Sequence, residues 1–322
     1  MALHRGLAIT DREGLSVMDR VVEFKSQGAI CKGVLKLPRK AVRGKLPLMV
    51  MAGGWCYTKE IVMPYYAKYF VDSGVATLLF DYRRFGESEG EPRQHIDPWA
   101  QIEDYKNAIS FAETLPEVDP ERIGIWGISY SGGHVLVTAA GDPRVRWAIS
   151  TIPVVRGFPT MRRCHGERRF AELMALLLKD RRARFKTGKG KTMPMSSRTP
   201  DKELSAWPYP HVNQIFNKIK NTEAPRHEHW NTIESVELLL SYDVTPFCQR
   251  IVDTPVQMVV AMGDNITSAD LEIEAFNAIT NPNKTLAIVE GVSHMSLYSD
   301  RDHLAKVGTT QADWLRQLLA RK

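Results

Sequence analysis

Short continuous apolar runs alternate along this chain with segments whose apolar side chains recur at helical spacing. The runs have the length of strands buried on both faces, and they cover residues 46–54, 75–83, 123–126, 146–155, 255–262 and 284–289. The helical segments cover residues 58–73, 97–115, 268–279 and 302–320, the second of which starts at Asp97-Pro98, a helix-capping pair. Strands that alternate with helices predict an α/β fold with a mostly parallel sheet flanked by helices.

Two segments depart from this pattern. Residues 20–37 alternate around Gln27-Gly28, which predicts an antiparallel hairpin at one edge of the sheet. Residues 156–250 contain helical stretches and little strand pattern, and they have the size of a helical lid inserted after the sixth strand. We therefore expect a core formed by residues 1–155 and 251–322, with residues 156–250 as the inserted lid.

Charge is concentrated in the first part of this predicted lid. The chain of 322 residues has a net charge of +6, and residues 156–191 contain 12 Lys and Arg against three acids. One interpretation is a solvated helix face, which is what charge runs usually form. The other is a patch that steers an anionic substrate, coenzyme A or an acidic acyl-carrier protein. A nucleic-acid partner is not expected, because the segment has no recognisable reading motif.

The remaining composition excludes several classes of protein. No apolar run is long enough to span a bilayer, and residues 1–16 lack the apolar centre of an export signal. The four cysteines are scattered without pairing or metal-ligand spacing, which is typical of a protein in a reducing cytoplasm. We predict neither a metal nor a cofactor, and the sequence leaves the oligomeric state open.

Candidate chemistry begins at a serine on a tight strand-to-helix turn. The strand at residues 123–126 runs into Gly127-Ile128-Ser129-Tyr130-Ser131 and then into a helix, close to the G-x-S-x-G pattern of a nucleophile elbow. Small flanking residues are needed because a side chain there would collide with neighbouring backbone. Ser129 is the expected nucleophile and Ser131 the competing one. The alternative is a glycine-rich turn in which Ser129 only caps a helix.

An acid and a histidine follow the last two predicted strands, in the order that this turn requires. A serine nucleophile needs a base, and the base needs an orienting acid. Asp264 comes just after residues 255–262, and His294 comes soon after residues 284–289. We therefore predict a triad of Ser129, His294 and Asp264. Asp270 and Glu290 are weaker alternatives for the acid.

The tetrahedral intermediate of acyl transfer needs two backbone N–H donors. One donor is expected from Tyr130, the residue after the nucleophile. The other is expected from the loop that follows residues 46–52, where Trp55 is the first choice and Gly54 the second. Cys56 is a poor candidate nucleophile, since no base at a strand end is left for it.

Five sequence motifs resemble those of the α/β-hydrolase superfamily, and more narrowly the group of dienelactone hydrolases, cocaine-esterase-type enzymes and polyketide transferases. They are AGGWCYTKE, FDYRRFGESEGEPR, DPERIGIWGISYSGGH, MGDN and EGVSHMSLY. The resemblance implies the α/β-hydrolase fold, the same triad and the same oxyanion donors, with Asp81 and Arg83 organising a loop. This chain departs from the pattern at Ser131, which replaces the last glycine, and in its basic lid.

These features predict a serine hydrolase that cleaves a carboxylic ester or thioester through an acyl-enzyme. The alternatives are an acyltransferase that moves a polyketide or other acyl group from a carrier protein or coenzyme A to an alcohol, a C–C bond hydrolase, and a non-enzymatic small-molecule receptor. A dehalogenase is disfavoured because the turn carries serine rather than aspartate. Aromatic residues of the lid could line the acyl pocket or form the lid core, and these are Phe158, Trp207, Tyr209, Phe216 and Trp230.

Overall fold

An eight-stranded sheet forms the centre of the molecule. The computed structural model describes residues 18–38 and 44–321. In spatial order the strands are β1 (Met18–Ser26), β2 (Ala29–Leu37), β4 (Ala76–Phe80), β3 (Leu46–Ala52), β5 (Val118–Ile128), β6 (Val145–Thr151), β9 (Val256–Ala261) and β10 (Lys284–Val289). From β4 to β10 all neighbouring strands are parallel. The predicted α/β-hydrolase architecture, a mostly parallel sheet, is confirmed.

The predicted hairpin forms the antiparallel edge of this sheet. β1 pairs with β2 over their whole length, and β2 pairs antiparallel with β4. The connecting residues, Gln27 and Gly28, both have positive φ, of 44° and 88°. Two positive φ angles are what a two-residue turn needs to match the twist of its strands.

Helices cover both faces of the sheet. They are α1 (Met63–Asp72), α2 (Pro98–Glu113), α3 (Tyr130–Gly141), α8 (Ala269–Ala278), the short α9 (Ser296–Ser299) and α10 (Arg301–Ala320). The side chain of Asp97 accepts hydrogen bonds from the first turn of α2, as its pairing with Pro98 predicts. No helix in the described ranges is both long enough and apolar enough to cross a bilayer.

The first predicted helix begins later than the sequence pattern indicates. The apolar spacing predicts a helix from residue 58, but α1 starts at Met63. The backbone N–H of Lys59 donates to the Asp81 carboxylate at 2.6 Å, and the Lys59 ammonium lies 2.9 Å from the same side chain. Val62 then has φ of 57°. The buried Asp81 thus holds this stretch in a turn, in keeping with the loop-organising role that the resemblance implies.

The chain between β6 and β9 is mostly helical. It forms α4 (Gly157–Thr187), β7 (Thr192–Pro194), α5 (Pro210–Thr222), β8 (Trp230–Thr232), α6 (Ile233–Leu240) and α7 (Thr245–Cys248). β7 and β8 pair antiparallel over three residues, and this is the strand content of a segment for which the sequence indicates little strand. Strands of three residues are too short to show an alternating pattern in sequence. The boundaries of a separate lid domain stay a prediction.

His134 lies in the core beneath the elbow. It is fully buried in α3, with Nδ1 2.8 Å from the hydroxyl of Tyr242 and Nε2 2.9 Å from the side-chain oxygen of Gln101. From the sequence, a histidine on the helix after the elbow is expected to be a packed, hydrogen-bonded core residue, and the structure confirms this for His134. Burial lowers the pKa of His134 to about 3, because an imidazolium without a charged partner is poorly solvated there.

This buried imidazole predicts a loss of stability in mild acid. The pKa of His134 is lowered in the folded state, so its contribution is complete above the ordinary histidine pKa of about 6.5 and is lost as the pH falls from there towards the folded value. The expected slope is about 1.4 kcal/mol per pH unit for each such histidine. Urea unfolding of wild type and His134→Gln between about pH 6 and pH 4 measures it. The variant should show the shallower pH dependence, and equal slopes would contradict the assignment.

Candidate active site

Three strands deliver the predicted triad to one edge of the sheet. Ser129 follows the last residue of β5 directly, Asp264 lies three residues beyond β9, and His294 lies five residues beyond β10. The carboxyl ends of parallel strands share an edge, where α/β folds bind their ligands. All three side chains are buried beneath the surface of this edge.

The turn at Ser129 has the strained geometry of a nucleophile elbow. Ser129 has φ of 59° and ψ of −121°, a region that residues with a Cβ rarely adopt. A Cβ on Gly127 would lie 2.2 Å from the backbone oxygen of Ser131, so only glycine fits there. The turn is fixed by a hydrogen bond of 2.9 Å from the Ser129 N–H to the Thr151 carbonyl.

The structure separates the two competing serines. The Ser131 hydroxyl accepts from the Ile128 N–H at 2.8 Å and donates to the Ala52 carbonyl at 2.7 Å, and the side chain is fully buried. The Ile128 carbonyl oxygen, at 3.0 Å, is a second acceptor, so backbone carbonyls hold the one hydrogen of this hydroxyl. Ser129 instead opens into a cavity. Ser131 therefore stands where the motif usually has glycine, and its hydroxyl adds a hydrogen bond between the elbow and the neighbouring strand, β3.

His294 is held by Asp264 in the manner of a catalytic base. Nδ1 of His294 lies 2.7 Å from Oδ2 of Asp264. The other carboxylate oxygen accepts the backbone N–H groups of Ile266 and Thr267 at 2.8 and 2.9 Å, and the Thr267 hydroxyl lies 2.8 Å from Oδ2. This network fixes the carboxylate, and through it the orientation of the imidazole.

The same contacts keep Asp264 ionised. Burial alone would raise the pKa of Asp264, but the charge and hydrogen bond of His294 together with the hydrogen bonds from Thr267 lower it below the usual range. The weaker alternatives do not share this setting, since Asp270 is exposed and paired with Arg163 and Glu290 is exposed.

The predicted oxyanion donors lie beside Ser129. A Cβ on Gly54 would come within 3.0 Å of the Ser129 Cβ, which places the loop before Trp55 against the serine. Among the described residues, the Trp55 N–H has no hydrogen-bond acceptor. Tyr130 is the first residue of α3, where backbone N–H groups have no partner within the helix. Both N–H groups are therefore free to bind an oxyanion.

Residues of the segment between β6 and β9 hold this oxyanion loop in place. The Trp55 indole donates to the Asn231 side-chain oxygen at 3.0 Å, and Nδ1 of His227 lies 3.0 Å from the Cys56 carbonyl oxygen. From its place in the predicted lid, His227 is expected to be solvated, and this expectation is wrong because the side chain is fully buried. Burial raises the pKa of the Cys56 thiol well above its usual value, so Cys56 is not activated as a nucleophile.

Ser129 and His294 share a small cavity with otherwise apolar and aromatic walls. Its volume is about 20 Å³, and its other lining residues are Trp55, Tyr57, Met195, Trp207, Val212, Phe216, Ile266 and Met295. Two of the five predicted pocket aromatics, Trp207 and Phe216, thus lie on its wall.

The other three predicted pocket aromatics lie elsewhere. Phe158 is 47% exposed and packs edge-on against Phe170, Tyr209 donates its hydroxyl to the Asn265 carbonyl at 3.0 Å, and Trp230 lies in β8. None of them lines the cavity of Ser129. Composition identifies aromatic residues, but it does not show which way each one faces.

Sequence reasoning missed two tyrosines of the site. Tyr57 lines the cavity, and the ring of Tyr298 stacks on the His294 ring at 5.7 Å between centroids. Burial raises the pKa of Tyr298, although the nearby hydroxyls of Tyr57 and Ser129 oppose the rise. Tyr298 lies within the motif EGVSHMSLY, which also contains His294. This shared motif is the sequence feature that could have identified Tyr298 as a residue of the site.

The fold and the geometry of the site define a protein of the α/β-hydrolase class. The sequence profile described as X-Pro dipeptidyl-peptidase (S15 family) matches residues 32–296, and the chain belongs to that family. The α/β hydrolase GrgF from Penicillium sp. sh18 has the same fold, with a TM-score of 0.75 at 24% identity over 93% of this chain and 98% of that chain.

Two curated relatives extend the comparison. Thiohydrolase aneE of Aspergillus aculeatus is 32% identical over 275 residues, which cover 80% of this chain and 78% of that protein. Acyltransferase drtE of Aspergillus calidoustus is 28% identical over 282 residues, which cover 87% of this chain and 88% of that protein. The chain is therefore similar to both hydrolases and acyltransferases.

Proposed function

We propose that the protein is a serine hydrolase that cleaves a thioester or carboxylic ester of a small acyl group. The observation that carries the proposal is the cavity that Ser129 and His294 share. Asp264 is hydrogen-bonded to Nδ1 of the His294 imidazole. A serine, a base that faces it and an acid that orients the base are the three parts that acyl-enzyme chemistry requires.

In this mechanism His294 takes the proton of the Ser129 hydroxyl as the serine oxygen attacks the substrate carbonyl carbon. The negative charge that develops on the carbonyl oxygen is stabilised by the N–H groups of Trp55 and Tyr130. The imidazolium then protonates the departing thiolate or alkoxide, which leaves the acyl group on Ser129. Water, deprotonated by His294, attacks this ester and releases the carboxylic acid.

The lining of the cavity supports an apolar acyl group rather than a peptide. A dipeptidyl-peptidase has to accommodate the free ammonium of its substrate, and a buried ammonium needs an anionic partner. The residues around the cavity of Ser129 include no carboxylate. A volume of about 20 Å³ lies far below the usual range for drug-sized ligands. The thiohydrolase relative supports a thioester as the substrate class.

Acyl transfer to an alcohol is the second candidate. Ser129 is only 5% exposed and His294 only 3%, and an acyl-enzyme kept away from water can persist until an alcohol arrives. The acyltransferase relative supports this alternative. The two reactions share the first half and differ in whether water or an alcohol accepts the acyl group.

A carrier for the acyl group could dock on the end of α4. Most arginines of residues 156–191 are used in ion pairs, such as Arg184 with Glu234 and Glu237. Basic side chains without an ion-pair partner among the described residues remain near the end of the helix and just beyond it, and they are Lys179, Arg182, Lys186, Lys189 and Lys191. This cluster supports coenzyme A or an acidic acyl-carrier protein as the acyl donor.

Removing the nucleophile should abolish turnover. We expect Ser129→Ala to lose p-nitrophenyl butyrate hydrolysis by at least about a thousandfold and to lose the fluorophosphonate adduct seen by intact-protein mass spectrometry. Ser131→Ala is the matched control. It should keep the adduct and lose only about 1–3 kcal/mol of stability, since its buried hydrogen bonds are structural.

The kinetics of the wild type distinguish the two candidate reactions. Steady hydrolysis supports the hydrolase, whereas a burst without turnover favours the transferase. Activity retained in Ser129→Ala and lost in Ser131→Ala would contradict the assignment of the nucleophile. The absence of any adduct on the wild type would favour a receptor.

Chain-length preference should depend on Phe216. Phe216→Ala enlarges the cavity, so we expect the ratio of kcat/KM for p-nitrophenyl octanoate over butyrate to rise by about tenfold. Phe158→Ala is the matched control, because Phe158 lies outside the cavity, and it should leave the ratio unchanged. An equal ratio in Phe216→Ala and wild type would show that the acyl chain lies elsewhere.

A further inference from the structure

A second carboxyl group lies behind the acid of the site. The Thr267 hydroxyl oxygen lies 2.8 Å from Oδ2 of Asp264 and 2.5 Å from Oε1 of Glu272, with Nδ1 of His294 further away at 3.3 Å. Glu272 belongs to α8 and is fully buried. The acyl-enzyme mechanism above does not use it, and no sequence pattern points to it.

Hydrogen bonds at both contacts of the Thr267 hydroxyl require a proton on one of the two carboxyl groups. A threonine hydroxyl has one hydrogen and can donate it to one acceptor. If both acids were ionised, one carboxylate oxygen would face the threonine oxygen at hydrogen-bond distance with no hydrogen between them. The contacts to Asp264 and Glu272 can both be hydrogen bonds only if one of these acids also donates.

The other contacts place that proton on Glu272. Asp264 accepts hydrogen bonds from two backbone N–H groups and contacts Nδ1 of His294, all of which favour its charged form. Glu272 has only Thr267, and its Oε2 has no partner among the described residues. A bare buried carbonyl oxygen costs far less than a bare buried carboxylate oxygen.

The charges around Glu272 agree with this assignment. Burial comes first, and the negative charges of Asp264 and Asp270 add to it in raising the pKa of Glu272, whereas the hydrogen bond to Thr267 opposes them. Of the neighbouring basic side chains, His294 is bonded to Asp264 and Arg163 is paired with Asp270 at the surface. No ion pair to Glu272 exists within the described residues.

We propose that Glu272, as a neutral carboxylic acid, is a positioning residue that donates to Thr267 and so directs the threonine hydrogen onto Oδ2 of Asp264. That oxygen is the one that holds His294. Glu272 keeps its proton throughout the reaction and touches no reacting atom. The inference deepens the proposed function and rests on the assigned roles of Asp264 and His294.

Activity measurements test the proposed hydrogen bonds from Glu272 to Thr267 and from Thr267 to Asp264. Glu272→Ala and Thr267→Val should lower kcat for p-nitrophenyl butyrate by about tenfold or more with little change in KM. Glu272→Gln should recover most of the activity lost in Glu272→Ala, because its amide donates in place of the acid. Glu274→Gln, on the exposed side of the same helix and paired with Arg156, is the control and should match the wild type.

The pH profile separates a neutral Glu272 from a charged one. A charged Glu272 would favour the imidazolium form of His294, so Glu272→Gln would move the acid limb of kcat/KM to lower pH. A neutral Glu272 predicts no such movement. A shifted limb in Glu272→Gln, or an unchanged kcat in a folded Glu272→Ala, would overturn the inference.

Infrared spectroscopy tests the protonation state without any turnover. At neutral pH the wild type and Ser129→Ala should show the carbonyl absorption of a protonated carboxylic acid, and Glu272→Gln should lack it. The same band in all three proteins, or in none, would overturn the proposal. This readout stands even if the ester assay fails, so failure of the proposed function and failure of the role of Glu272 remain distinguishable.

Discussion

The backbone conformation at Ser129 is the constraint on which the site depends. A φ of 59° at a residue with a Cβ has to be held by its surroundings, since it costs of order 1–3 kcal/mol. Gly127 leaves room for the turn, and Ser131 ties it to the end of β3 through the Ala52 carbonyl. Because the loop with Gly54 and Trp55 begins at that same strand end, this hydrogen bond connects the turn of the proposed nucleophile to the loop that carries one proposed oxyanion donor.

A second set of contacts connects this unit to the segment between β6 and β9. The Trp55 side chain is hydrogen-bonded to Asn231, and the Cys56 carbonyl to His227. The segment that lines the cavity therefore also holds the loop that contains Trp55, here called the oxyanion loop. These two hydrogen bonds link the position of the oxyanion loop to that of the segment.

The sequence predicts the features that depend on local pattern. The hairpin at Gln27-Gly28 and the strand-end positions of Ser129, Asp264 and His294 follow from periodicity and from the order of elements. The contacts that explain the site join residues far apart in sequence, such as Ser131 with Ala52 and His227 with Cys56, which are 79 and 171 residues apart. Which aromatic residue faces the cavity depends on such packing too, and this is why Phe216 lines it and Phe158 does not.

The most direct test of the central claim is a crystal structure of the protein after reaction with a fluorophosphonate. The covalent phosphonate mimics the tetrahedral intermediate of acyl transfer. The account predicts a bond to the Ser129 hydroxyl oxygen and a phosphonyl oxygen about 3 Å from the backbone nitrogens of both Trp55 and Tyr130. A bond to another residue, or a phosphonyl oxygen directed away from both nitrogens, would contradict it.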